Sequence, residues 1–174
     1  MDPYIELAKE TISTFLKENQ IIKPKENLPK EMLETKAGVF VSLHKKSDHS
    51  LRGCIGTFLP TRENIAQEII HNAISASCED PRFIPLSSLE LNDLEISVDV
   101  LSEPERIKSI DELDPKKYGI IVKSTDGGAG LLLPDIEGVK TVDDQISIAC
   151  QKAGIDPSFE KFSILRFTVF RHKI

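Results

Sequence analysis

Val39-Phe40-Val41-Ser42-Leu43-His44, the polar run Lys45–Ser50, and Leu51-Arg52-Gly53-Cys54-Ile55-Gly56-Thr57-Phe58 decide how this chain is built. Val39, Val41 and Leu43 alternate with Phe40, Ser42 and His44, the period of a strand with one buried face. The polar run is short enough for a hairpin loop, so residues 51–58 are predicted to return as the second strand. On that strand Arg52, Cys54 and Gly56 share one face, and Leu51, Gly53 and Ile55 the other. Glycine inside a strand marks a bulge or the close approach of another group to the backbone. Two glycines flanking Cys54 therefore predict that something comes near that thiol.

Outward from the hairpin, helices alternate with further strand signals. Asp2-Pro3 reads as an N-cap with proline at the first helical position. Ile5, Ala8, Ile12, Phe15 and Leu16 follow at helical spacing, and Asn19 and Pro24 end the stripe. Lys23 to Lys36 is charged and carries Pro24 and Pro29, so it is expected to be an irregular connection. After Pro60, Thr61 is the expected N-cap of a helix whose buried face is Ile65, Ala66, Ile69, Ile70, Ala73, Ile74 and Ser77. His71 falls opposite that face and is expected in solvent. Leu94, Ile96, Val98 and Val100 alternate with Glu95, Ser97 and Asp99, an amphipathic strand with one wet face. Residues 107–116 read as a polar connection, residues 119–123 as a strand, residues 125–130 as a hairpin turn, and residues 131–133 as its return. Thr141 and Asp144 form a capping-box pattern. Behind it, Val142, Ile146, Ala149, Cys150 and Ala153 give a helix stopped by Gly154. Ile164 to Phe170 reads as one last strand. The fold class is α+β: a mainly antiparallel sheet flanked by helices, in one domain over residues 1–174, with room for a smaller subdomain.

Composition narrows the function classes. With 28 acidic against 22 basic residues the net charge is −6, which disfavours an extended phosphate-backbone surface. Cys54, Cys78 and Cys150 form no Cys-x-x-Cys, and their odd number and wide spacing do not write a disulfide framework. His44, His49, His71 and His172 show no i,i+4 pairing, so no metal site is written locally. No apolar run approaches the roughly 18 residues of a membrane span, and the N-terminus lacks the basic and apolar segments of a leader. The expected location is the cytoplasm.

Cys54 is the cysteine placed by glycines rather than by an apolar stripe. Arg52 on the same predicted face would favour its thiolate, which is a nucleophile or a soft ligand. The alternative is a small buried strand residue. Glu79-Asp80-Pro81-Arg82-Phe83-Ile84-Pro85 is a loop stiffened by two prolines. It either presents Asp80 and Arg82 as a charged site or pairs them to fix itself. Two functional readings stand. One is a pocket around Arg52, Cys54 and Arg82, with Gly53 and Gly56 as open backbone, that binds a small anionic or nucleotide-like ligand or a partner segment. The other is an enzyme with Cys54 as nucleophile, Asp80 as a second catalytic residue, and Arg52 and Arg82 in support; no general base for it is readable. A nucleic-acid-associated factor is a third. The residues name no cofactor.

Leu51-Arg52-Gly53-Cys54-Ile55-Gly56 resembles the signature of the AMMECR family, named for the Alport syndrome, midface hypoplasia and elliptocytosis chromosomal region. The likeness continues through Asn72-Ala73, Asp80-Pro81-Arg82-Phe83, Val100-Leu101-Ser102, Gly130-Leu131-Leu132-Leu133-Pro134 and Lys152-Ala153-Gly154. The chain departs from the pattern at Ser97, where relatives tend to be acidic, and at Asp135, where they often have Gln. The resemblance implies a two-part α+β fold and motif residues Arg52, Gly53, Cys54, Gly56, Asp80 and Arg82. It also implies Memo-like and radical-SAM proteins as partners, in an accessory role to a radical modification pathway.

Overall fold

The structure is a computed structural model and describes residues 2–173. Helix α1 (Pro3–Glu18) starts where the Tyr4 N–H donates to Asp2 Oδ1 at 2.9 Å, and ends at Asn19, whose φ of 54° is the left-handed turn that closes a helix. Its stripe buries Ile5, Ala8 and Ile12 together with Tyr4 and Leu7. The expected irregular connection contains a second helix, α2 (Lys30–Glu34), anchored by the fully buried Met32. One and a half turns are too few for helical periodicity to show in a sequence, and burial of a single side chain holds the segment down.

The quoted stretch forms β1 (Val39–Lys45) and β2 (Leu51–Thr57), paired antiparallel. Helix α3 (Ile65–Cys78) follows. Its cap is Asn64 rather than Thr61: Asn64 Oδ1 accepts from the Gln67 N–H at 3.0 Å, while the Thr61 hydroxyl donates to Glu68. Strand β3 (Leu94–Leu101) pairs antiparallel with β1. The face expected to be wet is interrupted at Asp99, which is buried against Arg171 through bonds of 2.8 and 2.9 Å.

A two-residue strand, β4 (Glu105–Arg106), precedes the polar connection 107–116, which carries a 3-10 turn at Ile110–Glu112 closed by a capping box from Ser109 and Glu112. Strands β5 (Gly119–Ser124) and β6 (Ala129–Leu132) make the second hairpin. Helix α4 (Val142–Ala153) begins at the Thr141–Asp144 capping box and stops at Gly154, φ 69°. The expected single last strand is two: β7 (Phe162–Phe167) and β8 (Val169–Lys173) lie in different sheets. The break is Thr168, whose N–H and C=O are taken by Ser102 instead of by a ladder.

Among the described residues the elements form two sheets, ordered β2-β1-β3-β8 and β4-β7-β5-β6, and four α-helices, an α+β fold. The chain divides into two compact units, Met1–Val100 with Phe170–Ile174, and Leu101–Val169. In the first, α3 packs on β1 and β2 and α1 packs on α3, in one core with Val39, Val41, Leu43, Ile96 and Val98. Each such side chain contributes about 1.5–3 kcal/mol when buried. In the second, α4 covers Ile120, Val122 and Leu132, with Cys150 and Ala149 fully buried.

A buried carboxylate ties the end of β2 to α3. Glu68 is inaccessible and accepts from Thr57 Oγ1 (2.6 Å), Thr61 Oγ1 (2.8 Å), Thr61 N (2.9 Å) and Arg62 N (2.8 Å). Burial pushes its pKa up, but the four donors outweigh burial and hold it below the ordinary glutamate value.

Candidate functional site

The site sits on β2, an edge strand of the first sheet. Between Leu43↔Gly53 and His44↔Leu51 the register slips by one residue, so Arg52 is the extra residue of a bulge. The bulge breaks the alternation expected from the sequence. Arg52 is buried, with its side chain 8% exposed, and all three guanidinium nitrogens are engaged. Nε and Nη2 reach Glu90 at 2.9 and 3.2 Å, and Nη1 donates to the Ile84 carbonyl at 3.0 Å. Glu90 is held below its ordinary pKa by that guanidinium. Arg52 therefore fastens the segment after α3 to the sheet.

The two glycines have packing partners. A Cβ on Gly53 would lie 2.1 Å from the Ala76 carbonyl oxygen, so the backbone of α3 rests directly on the strand. A Cβ on Gly56 would lie 2.3 Å from Cγ of Phe40, its cross-strand neighbour. What approaches the backbone on either side of Cys54 is the protein itself.

Cys54 pairs with Ser42, whose hydroxyl donates to Sγ at 3.2 Å. The residue is partly exposed, whereas Cys150 is buried. Its main chain faces the open edge of the sheet, where both polar groups find side-chain partners. The Cys54 N–H donates to Asp80 Oδ2 at 2.9 Å, and Arg82 Nη2 donates to the Cys54 carbonyl at 3.2 Å. Asp80 and Arg82 thus stand in for a neighbouring strand and close an edge that is otherwise open to pairing.

Asp80 is buried, with its side chain 2% exposed, and also accepts from Arg82 N, Nε and Nη2 at 3.1, 3.0 and 2.8 Å. Hydrogen bonding to Arg82 holds its carboxyl far below the ordinary aspartate value, against the opposing effect of burial. The Asp80 bonds raise the Arg82 pKa in turn, with a smaller contribution from the nearby Cys54. Arg82 itself is 54% exposed, and its Nη1 has no partner among the described residues. The guanidinium also lies 5.5 Å from the centre of the Phe83 ring.

The fold thus brings Cys54, Asp80 and Arg82 together and sets Arg52 on Glu90 instead. Sequence reasoning misses Ser42 and Glu90. The register that places Ser42 opposite Cys54 depends on the bulge, and Glu90 is 38 residues from Arg52. His44 lies opposite Leu51, away from Cys54. Two cavities of the first unit, about 640 and 370 Å³, are lined by neither Arg52, Cys54 nor Arg82.

The chain and its fold have known counterparts. The family model AMMECR1 matches residues 5–173. The chain belongs to the AMMECR1 family. A relative from Thermotoga maritima is 52% identical over 171 residues, covering 98% of this chain and 97% of the relative. A protein from Clostridium acetobutylicum is 51% identical over 99% of this chain, which spans only 36% of that protein's length, so an AMMECR1 domain also occurs inside a longer chain. Among solved structures, the crystal structure of an uncharacterized protein from Pyrococcus horikoshii superposes with a TM-score of 0.87 at 31% identity, covering 97% of this chain and 88% of that one. The fold is thus that of the family. Among the described residues no helix is long and apolar enough to cross a membrane.

Proposed function

We propose that this AMMECR1-family domain is a binding module, and that the Cys54–Arg82 edge of β2 receives an anionic group of a small ligand or of a partner segment. One observation carries the reading. Arg82 is locked by Asp80 and the Cys54 carbonyl through Nε and Nη2, and its Nη1, without a partner among the described residues, stands beside a partly exposed thiol. A guanidinium fixed in this way loses little side-chain freedom on binding, which favours carboxylate and phosphate recognition. Ser42 and Cys54 supply the adjacent contacts, and Arg52, Asp80, Gly53 and Gly56 are the frame. The binding reading stands ahead of thiol catalysis because Sγ is met by a hydroxyl donor rather than by a base. In this reading the chain serves chemistry carried out by other proteins, and Memo-like and radical-SAM proteins are the proposed partners.

The test is alkylation of Cys54 in a Cys78→Ser background, since Cys150 is buried. Anionic iodoacetate is compared with neutral iodoacetamide. Local cationic steering favours the anionic reagent, and Arg82→Gln lowers the iodoacetate-to-iodoacetamide rate ratio by about fivefold. Pyrophosphate or ADP slows alkylation of the protein that keeps Arg82 and leaves the rate in R82Q unchanged. An unchanged ratio, with no protection by either anion, rejects the proposal.

A further inference from the structure

A groove of about 640 Å³ runs between the segment that leaves α1 and helix α3, within the range of about 300–1,000 Å³ typical of small-molecule sites. Its apolar wall is Ile21, Ile22 and Pro24 from the segment, and Ile70 and Ile74 from the helix. Ile21 is 67% exposed, an uncovered hydrocarbon surface at the rim. The charged groups of the groove are Lys23 and Arg62, and no carboxylate lines it. Neither cation has a salt-bridge partner among the described residues. In a chain of net charge −6, a groove holding two unpaired cations and no acid is a local reversal of sign.

Arg62 is held in place from two sides. Its backbone N–H, with that of Thr61, ends on Oε2 of the inaccessible Glu68. Its Nη2 meets His71 Nδ1 at 3.1 Å. A guanidinium has only donors, so Nδ1 accepts and the ring proton lies on Nε2. The groove therefore presents donors without an ionised acceptor: Lys23, Arg62 and the imidazole N–H. A second cavity of about 370 Å³ shares Arg62 and Gln67 and adds Lys36 together with one carboxylate, Glu63.

The geometry points to a second binding site, independent of Cys54, for an amphipathic anion: a carboxylate or phosphate head on Arg62 and Lys23, with a hydrocarbon tail along Ile21, Ile22, Ile70 and Ile74. Charge complementarity selects the head, and the isoleucine wall selects the tail. Glu68 acts as a positioning residue, through the backbone under Arg62.

The experiment is a nuclear magnetic resonance titration of the full chain, labelled with nitrogen-15, with octyl phosphate and octanoate, and with octanol and octylamine as controls. Expected are shifts at residues 21–24 and 62–74, a dissociation constant below about 1 mM for at least one acid, and weakening of about tenfold in Arg62→Gln with octanol unaffected. Lys23→Gln, at an exposed position on the rim, gives a second reading of head recognition should R62Q perturb the fold. The relative affinity of the two acids distinguishes a phosphorylated from a fatty-acid source. Arg82→Gln should leave the groove's affinity for both acids unchanged, which keeps this site separate from the edge of β2. Equal binding of octanol and the acids, shifts centred elsewhere, or affinities unmoved by both substitutions overturn the assignment. So does a concentration-dependent dimer abolished by Ile21→Ser, which would mean that a second copy covers the groove.

Discussion

The hairpins β1–β2 and β5–β6 are built alike and finished differently. Each return strand is an edge strand with a glycine pressed against a helix backbone. A Cβ on Gly53 would meet the Ala76 carbonyl of α3 at 2.1 Å, and a Cβ on Gly130 would meet the Ala149 carbonyl of α4 at 2.1 Å. The device is the same in both units: glycine removes the side chain so that helix and strand approach more closely. The edges differ. On β6 the Leu131 carbonyl accepts from the exposed Lys152 at 3.3 Å. On β2 both polar groups of Cys54 are taken by a buried aspartate and a half-exposed arginine. The glycines, then, mark packing, and the charged cover of the edge is what sets the first hairpin apart.

Gly53→Ala and Gly130→Ala should have the largest effects. Each forces a helix away from its strand, and each should lower stability by about 3 kcal/mol in urea unfolding. A loss below about 1 kcal/mol in either would show that the close approach is dispensable in that hairpin. Next comes Asp80→Asn, which removes the charge that holds the β2 edge, with an expected loss of about 2 kcal/mol at neutral pH. Because the folded-state pKa of Asp80 lies below its ordinary value of 3.8, its contribution is fully present above that value and drains away as pH falls below it. The difference between the parent protein and D80N should therefore shrink in acid, as followed by unfolding at a series of pH values. A difference that does not change with pH would mean that the carboxylate acts through shape alone.

Arg52→Lys should cost about 1.5 kcal/mol, because an ammonium cannot reproduce the two-pronged contact with Glu90 and also reach Ile84. Arg82→Gln should be the mildest, about 1 kcal/mol, since that side chain is half exposed and Asp80 keeps two backbone donors. Were R82Q the more damaging of the two, Arg82 would belong to the frame, and the contrast between the arginines would fail. Thermal unfolding of both variants alongside the alkylation ratio decides this.

The arginines show how far the residues can be read in advance. Both stand near a proline or a glycine, both carry the same charge, and in the sequence both belong to one prospective pocket. Burial separates them, and burial depends on a one-residue bulge that alternation along β2 does not announce. The pairing of Asp80 with Arg82 is one of two readings of a stiff loop, and the structure adds its docking on Cys54, 26 residues earlier. Asp99 departs from its pattern for a related reason: period-two patterning assigns a face, and only the arrival of Arg171, 72 residues later, makes a carboxylate tolerable there.

The sequence by itself determined the striped helices, the caps of α1 and α4, the two hairpins, the α+β class and the family signature, because these follow from local periodicity and local hydrogen bonding. Tertiary structure alone decided that residues 162–173 serve two sheets, that Arg52 is frame while Arg82 has a free edge, and that Lys23 and Arg62 line one groove. Those outcomes rest on contacts between residues far apart in the chain, where desolvation and donor–acceptor matching select one arrangement, and no short stretch of residues encodes them.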